Sequence, residues 1–257
     1  MRAGIVREPA RGLSQTWCCF MSTLQFRCEP ELFTTYPALT VYAVRVSGMK
    51  AALARGNAAQ VLREAINSCQ VDPEKVTETP AVAGWREAYG LMGVKPSKFR
   101  SSVEALLRRA SKRAELELPI ASVNLYNACS IAHQAALGAY DVAKLPDAPL
   151  VLRRARVATD KFDPLGAEAS AFPITQNLVV YAAGDDVLCW GFNSRDSKLS
   201  ALDENSDVGV FFAEAAMPQQ QAPAHDALVM LKEHFQSWGA DCSEIARSTS
   251  AAPGFAI

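Results

Sequence analysis

The sequence predicts a single α+β domain, because its hydrophobic patterning changes character partway along the chain. Between residues 51 and 137, apolar residues recur mostly at helical spacing. Between residues 149 and 212 they fall into short runs rich in β-branched residues and broken by turn residues. Residues 223–238 return to helical spacing. The expected order is therefore helices in the N-terminal half, mainly antiparallel strands in the C-terminal half, and a final amphipathic helix.

Each element has a local reason. Residues 39–47 (LTVYAVRVS) alternate and are β-branched, which predicts a strand. Residues 51–68 are rich in Ala and Leu with spaced charges, which predicts one helix. Thr79-Pro80 opens a second helix with proline at its first turn, stopping near Gly93. A third helix is expected over 97–113, with Val103, Leu106, Leu107 and Ala110 as its apolar stripe, opening on a Pro-Ser cap. A fourth, apolar and central, is expected over 123–137. Strands follow at 149–157, 177–183, 187–190 and 208–212, with Gly184-Asp185-Asp186 as a hairpin turn.

Residues 1–20 are expected to be a poorly ordered extension or a wrongly assigned start, since Met21 opens a stretch that reads better as a beginning. The domain is expected over 21–245, and the small, polar stretch 246–257 as a mobile tail.

Composition sets limits. Apolar residues make up 49% of the 257 and charged residues 21%, ordinary for a globular protein with a sizeable core. The net charge is -1, so any nucleic-acid contact must come from a local patch. No apolar run approaches a membrane span. The seven cysteines show no C-x-x-C pair, which fits free thiols in a reducing cytoplasm. With three histidines and no His/Cys cluster, neither a metal nor a cofactor is expected.

Three segments bear chemical possibilities. The first is KPSKFRSSVEALLRRA from Lys95, where Lys95, Lys98, Arg100, Arg108, Arg109, Lys112 and Arg113 lie within 19 residues against one acid, Glu104. Such a cluster holds phosphates, or equally keeps a helix face solvated. The second carries Asn124 and Asn127, three apart in an apolar helix start, and ends in Gly-Ala-Tyr-Asp at Asp141. Asparagine competes for backbone hydrogen bonds inside helices, so two on one face invite a reason. They either bind a ligand or serve as a cap and a satisfied core amide. The third is CWGFNSRDSKLSALDENSD from Cys189, a polar loop after a strand. Its Arg195 and Asp196 are either part of a pocket or an ordinary surface pair.

In this order, the three segments resemble the editing domain of the bacterial phenylalanyl-tRNA synthetase beta subunit (the B-three/four domain) and its free-standing relatives. The resemblance spans about residues 44–214. It rests on R-S-x-x-E-x-L-x-R-R at Arg100, Ser101, Glu104, Leu106, Arg108 and Arg109, on Val123 to Asn127, on Gly138-Ala-Tyr-Asp141, and on Arg195-Asp196-Ser197. It implies a trans-editing hydrolase that removes amino acids from mischarged tRNA in the cytoplasm, with no DNA or membrane partner. Asn127, Asn124 and Asp196 would carry the chemistry. Tyr126, Gly138, Asp141, Asn193, Arg195 and Ser197 would bind substrate, with loop amides near Asn193 to Ser197 orienting substrate and water. Lys95, Lys98, Arg100, Ser101, Arg108 and Arg109 would bind tRNA.

The chain departs from the synthetase pattern in two places. The pocket histidine of the synthetase is Gly138 here, so water activation by histidine does not carry over, and Tyr126 replaces a small hydroxyl residue. The free-standing relatives share Gly-Ala-Tyr-Asp, and some act on tRNA for arginine charged with canavanine. A carboxylate such as Asp196 would suit a guanidino-type side chain. Two other roles remain open: a non-catalytic tRNA- or amino-acid-binding module, and a synthetase-associated protein docking through residues 223–238. Asp203, Asn205, Asp207 and Glu214 fall at EF-hand positions, but Val208 occupies the place of the required glycine. These acids are read as capping and solubilising the start of a strand.

Overall fold

A computed structural model describes residues 23–257, so the expectation for residues 1–20 lies outside it. The fold is α+β, as the patterning predicts. The chain begins with β1 (Gln25–Cys28), α1 (Glu31–Thr35), β2 (Thr40–Ser47), α2 (Met49–Arg55) and α3 (Ala58–Ser68). Then come α4 (Pro80–Leu91), α5 (Ser102–Ala110), α6 (Ala121–His133) and β3 (Ala136–Asp141). The strand-rich part holds β4 (Leu150–Arg154), β5 (Val179–Ala183), β6 (Asp186–Trp190), β7 (Arg195–Asp196) and β8 (Val208–Ala215). It closes with α7 (Gln221–Ser237), β9 (Asp241–Cys242), β10 (Ala246–Ser248) and β11 (Gly254–Ala256).

The strands form two sheets. One has the order β11-β1-β4-β5-β6-β7, and the other β10-β2-β8-β3 with β9 also paired to β2. Among the described strands, β1 and β4 pair in parallel and the other pairs are antiparallel. Side chains of β2 and β8 alternate between two cores. Val41, Ala43, Val210 and Phe212 join the β4, β5 and β6 side chains in a core between the sheets, to which α4 adds Trp85 and Tyr89. Val44, Val46, Phe211 and Ala213 pack instead against α6 and α7. A strand buried on both faces reads as a continuous apolar run, and VGVFFAEA does so except at Glu214.

Four expectations are corrected by local chemistry. The helix expected over 51–68 is two helices. Asn57 caps the second by accepting a hydrogen bond from the Gln60 amide at 3.0 Å. Gly56 meets the Trp238 ring so closely that a Cβ there would sit 2.1 Å from it. The third helix starts at Ser102 rather than residue 97, because Ser101, not the Pro-Ser pair, caps it by accepting from the Glu104 amide at 3.3 Å. The fourth helix ends at His133, where Gln134 turns left-handed at φ 52°, so Gly138 to Asp141 lie on β3. The supposed tail 246–257 contributes β10 and β11. Ile257 and Leu24 exchange backbone hydrogen bonds at 2.9 and 3.0 Å, and Phe255 stacks on Phe26 at 4.7 Å.

The apolar face of α7 is consumed within the fold: Ala224, Ala227, Leu228, Leu231 and Phe235 are buried against the β2–β8 sheet. That leaves the expected docking helix without a free apolar stripe.

A buried ion pair ties β4 to the turn after it. Arg153 grips Asp160 with two hydrogen bonds of 2.8 and 2.6 Å, and also donates to the carbonyls of Arg154 and Gly184. Removing one partner would strand the other as a buried charge. Asp160→Ala is therefore expected to lower stability by about 3–5 kcal/mol, read as a shift in the denaturant midpoint.

Candidate functional site

The loop after β6 builds the site. Gly191 and Phe192 both take left-handed conformations, at φ 66° and 60°. Glycine does so freely, but for phenylalanine the strain is of the order of 1–2 kcal/mol. The Phe192 ring is fully buried edge-on between Tyr36 and Trp85, with centroids 5.3 and 5.4 Å away. Burying such a side chain is worth about 1.5–3 kcal/mol, so packing offsets the strain. With Phe192 anchored, Asn193 is carried inward. Its carbonyl accepts from the Ser102 amide at 3.1 Å and its side chain accepts from the Tyr89 hydroxyl at 3.2 Å. Ser194 secures the other side by donating to the Arg100 carbonyl at 2.9 Å.

Beneath this loop is a cavity of about 220 Å³ between the edges of the two sheets. It brings together Tyr126, Asn127, Gly138, Asn193, Arg195 and Asp196 from among the expected residues. Asn127 is 9% exposed, and its side chain makes no hydrogen bond among the described residues. Gly138 leaves open space: a Cβ there would meet nothing within 4 Å. Tyr126 forms wall against Phe211, and its burial keeps the phenol protonated far above the usual range. The Arg195 guanidinium lies over the Phe172 ring at 5.3 Å.

Other expected residues stand elsewhere. The Asn124 amide clamps Leu118, accepting from its N–H at 2.9 Å and donating to its carbonyl at 2.8 Å, so it braces the loop before α6 and does not line the cavity. Asp141 accepts from Ser206 Oγ at 2.6 Å and from the Ala143 amide at 3.0 Å, and lies 3.5 Å from Lys144 Nζ. The Ser197 hydroxyl accepts from the Leu199 amide at 3.2 Å. The loop amides are also occupied: those of Asn193, Ser194 and Ser197 bond to carbonyls of Gly191, Trp190 and Leu188. Ser101 is buried as a helix cap and does not meet solvent as a tRNA contact would require.

The basic cluster has an organiser. Glu104 is fully buried, and three arginines converge on it: Arg86 at 3.0 Å, Arg108 at 3.0 Å and Arg100 at 3.9 Å. Arg109 donates to the Glu115 carbonyl at 2.7 Å. Lys98 sits 5.0 Å over the Phe99 ring, and Lys95 is exposed. Arg86 belongs to α4, so no spacing within the basic segment pointed to it.

Three cavity residues escaped the sequence reading. Ser102 presents a buried hydroxyl with no hydrogen-bond partner among the described residues. The Cys189 thiol stands beside Asp196, and burial first, then that carboxylate, hold it well above the usual thiol range. Such a thiol is no nucleophile at neutral pH. Glu214 is 3% exposed on β8, where it neither caps nor solubilises a strand start. The one signal was an acid inside an apolar strand. Burial pushes its pKa up to about 8, against hydrogen bonds from Tyr181 and Asn193 that pull it down. The Asn193 contact is long at 3.4 Å, and the Tyr181 hydroxyl adjoins the carboxyl without full hydrogen-bond geometry. Burial also raises Asp196 above the ordinary carboxylate range, opposed by Cys189 and Arg195.

Residues 84–228, more than half of the sequence, match the family model of the B3/4 domain, and the chain belongs to that family. Every residue lining the cavity falls inside the matched span. One similar solved structure is an N-terminal fragment of the phenylalanyl-tRNA synthetase beta-subunit from Pyrococcus horikoshii, 12% identical with a TM-score of 0.44. The similarity covers 84% of this chain and 49% of that one, so this chain spans about half the fragment's length. No curated protein sequence matches it at a significant level. No helix among the described residues is long and apolar enough to cross a membrane.

The raised Glu214 has a consequence for stability. Its native pKa of about 8 lies above the ordinary glutamate value of 4.5, so the folded state binds the extra proton between them. Its contribution is complete below about pH 4.5 and is lost as pH climbs through 8. Glu214→Gln is expected to flatten this fall in stability, as followed by urea unfolding at a series of pH values.

Proposed function

We propose that this protein is an aminoacyl-tRNA deacylase acting in trans, hydrolysing the ester that joins a wrong amino acid to the terminal adenosine of tRNA. The observation that carries the reading is the cavity, where an uncommitted amide, Asn127, shares one small space with two carboxyl groups. Membership of the B3/4 domain family and the likeness of its motifs to free-standing editing proteins support it.

An aminoacyl ester is already activated, so neither a covalent intermediate nor a cofactor is needed. Holding a water against the carbonyl suffices. Water adds to the acyl carbon, the carbon–oxygen bond to the ribose breaks, and the ribose oxygen leaves with a proton. Asn127 orients the acyl group and the water. Asp196 meets the amino-acid side chain, and its carboxylate suits a cationic guanidino-type group such as canavanine on tRNA for arginine. The open space at Gly138 and the wall at Tyr126 set the depth of the subsite. Arg100, Arg108, Arg109, Lys95 and Lys98, joined by Arg86, supply the phosphate contacts that a net charge of -1 does not.

The test is a panel of tRNAs charged with correct and near-miss amino acids, including canavanyl- and arginyl-tRNA for arginine and tyrosyl-tRNA for phenylalanine. Loss of one mischarged ester with its correct counterpart spared is the expected outcome. No loss above the spontaneous rate, with tRNA still bound, would instead make the protein a binding module. On the active substrate, Asn127→Ala is expected to slow deacylation by about 100-fold without moving the thermal midpoint. Full activity in that variant would misplace the site.

A further inference from the structure

Arg195 is a cation that the fold holds in place without an ion pair. It lines the cavity and is exposed. Its guanidinium lies over the Phe172 ring at 5.3 Å, and its Nη1 donates to the Leu165 carbonyl at 3.3 Å. No carboxylate among the described residues comes within ion-pair distance of it. A planar group fixed from two directions and facing solvent is an unusual use of a surface arginine, whose long side chain ordinarily stays mobile.

The ring under it belongs to a packed cluster. Phe172 meets Trp190, Phe99 and Phe162 with centroids 5.5, 5.8 and 6.1 Å away, and Phe99 meets Trp190 at 4.6 Å. The Trp190 indole N–H donates to the Pro173 carbonyl at 3.1 Å, which pins the loop that carries Phe172. Phe162 and Phe172 come from the long loop between β4 and β5, residues 155–178, and Phe99 from the basic segment before α5. Loops of this length in a compact domain are commonly binding loops.

Two features say what this rim suits. The Leu165 side chain is 45% exposed beside the guanidinium, so apolar surface is open to a flat group. Lys98, 5.0 Å over the Phe99 ring, and Arg100 are exposed on the same side of the cluster, so an approaching ligand meets positive charge. Lys198, three residues beyond Arg195, is instead occupied by Asp163 at 2.9 Å. Flat surface beside cations is the recognition chemistry of a single-stranded nucleotide.

We propose that Arg195, backed by Phe172, is a stacking platform for the unpaired base at the end of an RNA, with Lys98 and Arg100 meeting the phosphates that precede it. Guanidinium planes and aromatic rings both accept bases in this way. The proposal rests on the deacylase reading and deepens it: a base held at the rim directs the acylated ribose into the cavity. Arg195 is thereby a positioning residue and takes no part in bond making.

The test uses uncharged tRNA ending in adenosine and the same tRNA ending in an abasic residue, bound to wild type and to Arg195→Lys over a series of salt concentrations. Wild type should bind the abasic end about ten-fold more weakly. Arg195→Lys keeps the charge and loses the plane. It should bind both ends alike, at the wild-type abasic level, with an unchanged salt dependence. Because Arg195 is exposed, its thermal midpoint should stay at the wild-type value. A wild type indifferent to the base, no binding of either tRNA, or a lysine variant that keeps the full preference overturns the proposal. So does a shallower salt dependence in that variant, which would make Arg195 a phosphate contact. A base preference abolished by Arg195→Lys, with no ester hydrolysed across the panel, would sink the deacylase reading and leave the stacking site standing; hydrolysis with no preference for the base would do the reverse.

Discussion

The seating of Phe192 is the constraint on which the site depends. A bulky residue held at φ 60° would relax to ordinary backbone if its ring were not wedged between Tyr36 and Trp85. That wedge fixes where Asn193 points, and Asn193 in turn joins three parts of the fold. It bonds α4 through Tyr89, the start of α5 through Ser102, and the β2–β8 sheet through Glu214. The aromatic core between the sheets therefore supports the polar lining directly above it.

Two glutamates in one small protein meet opposite electrostatic surroundings. Glu104 gathers three guanidinium groups at the surface of α5 and organises the basic cluster. Among the described residues, Glu214 is met by phenols, thiols, an amide and another acid. The difference is one of topology. Glu104 sits on a helix whose neighbouring turns and the adjacent α4 bring long cationic side chains within reach. Glu214 sits near the end of β8 and faces the space between the two sheets, away from the basic helix.

Much of the fold was legible because its largest elements carry clean periodicity: α4, β2, the β5–β6 hairpin and α7 lie within a few residues of where the sequence places them. The failures share a cause. Gln134 ends α6 with a left-handed turn that no glycine announces, so β3 was read as the end of a helix. β1, β10 and β11 are only three or four residues long, too short to show alternation, and exist because distant partners pair with them. At the site, the motifs found residues on α6, β3 and the loop after β6, but not the ones that the motifs do not name. Asn127 and Asn124 look equivalent in sequence; only the position of Leu118 separates a brace from a cavity residue. Arg86 and Glu214 come from elements far from the motifs they complete.

The wiring of the six-stranded sheet also bears on how the chain acquires its shape. Strand β1, made first, lies between β4 and β11, whose residues come more than 120 and more than 220 positions later. During synthesis Phe26 and Cys28 must wait, exposed, for most of the protein to emerge before their neighbours exist. Contacts of such long sequence separation slow folding, since loop closure precedes any reward for it. Strand β1 is thus among the parts of the core that are sheltered late.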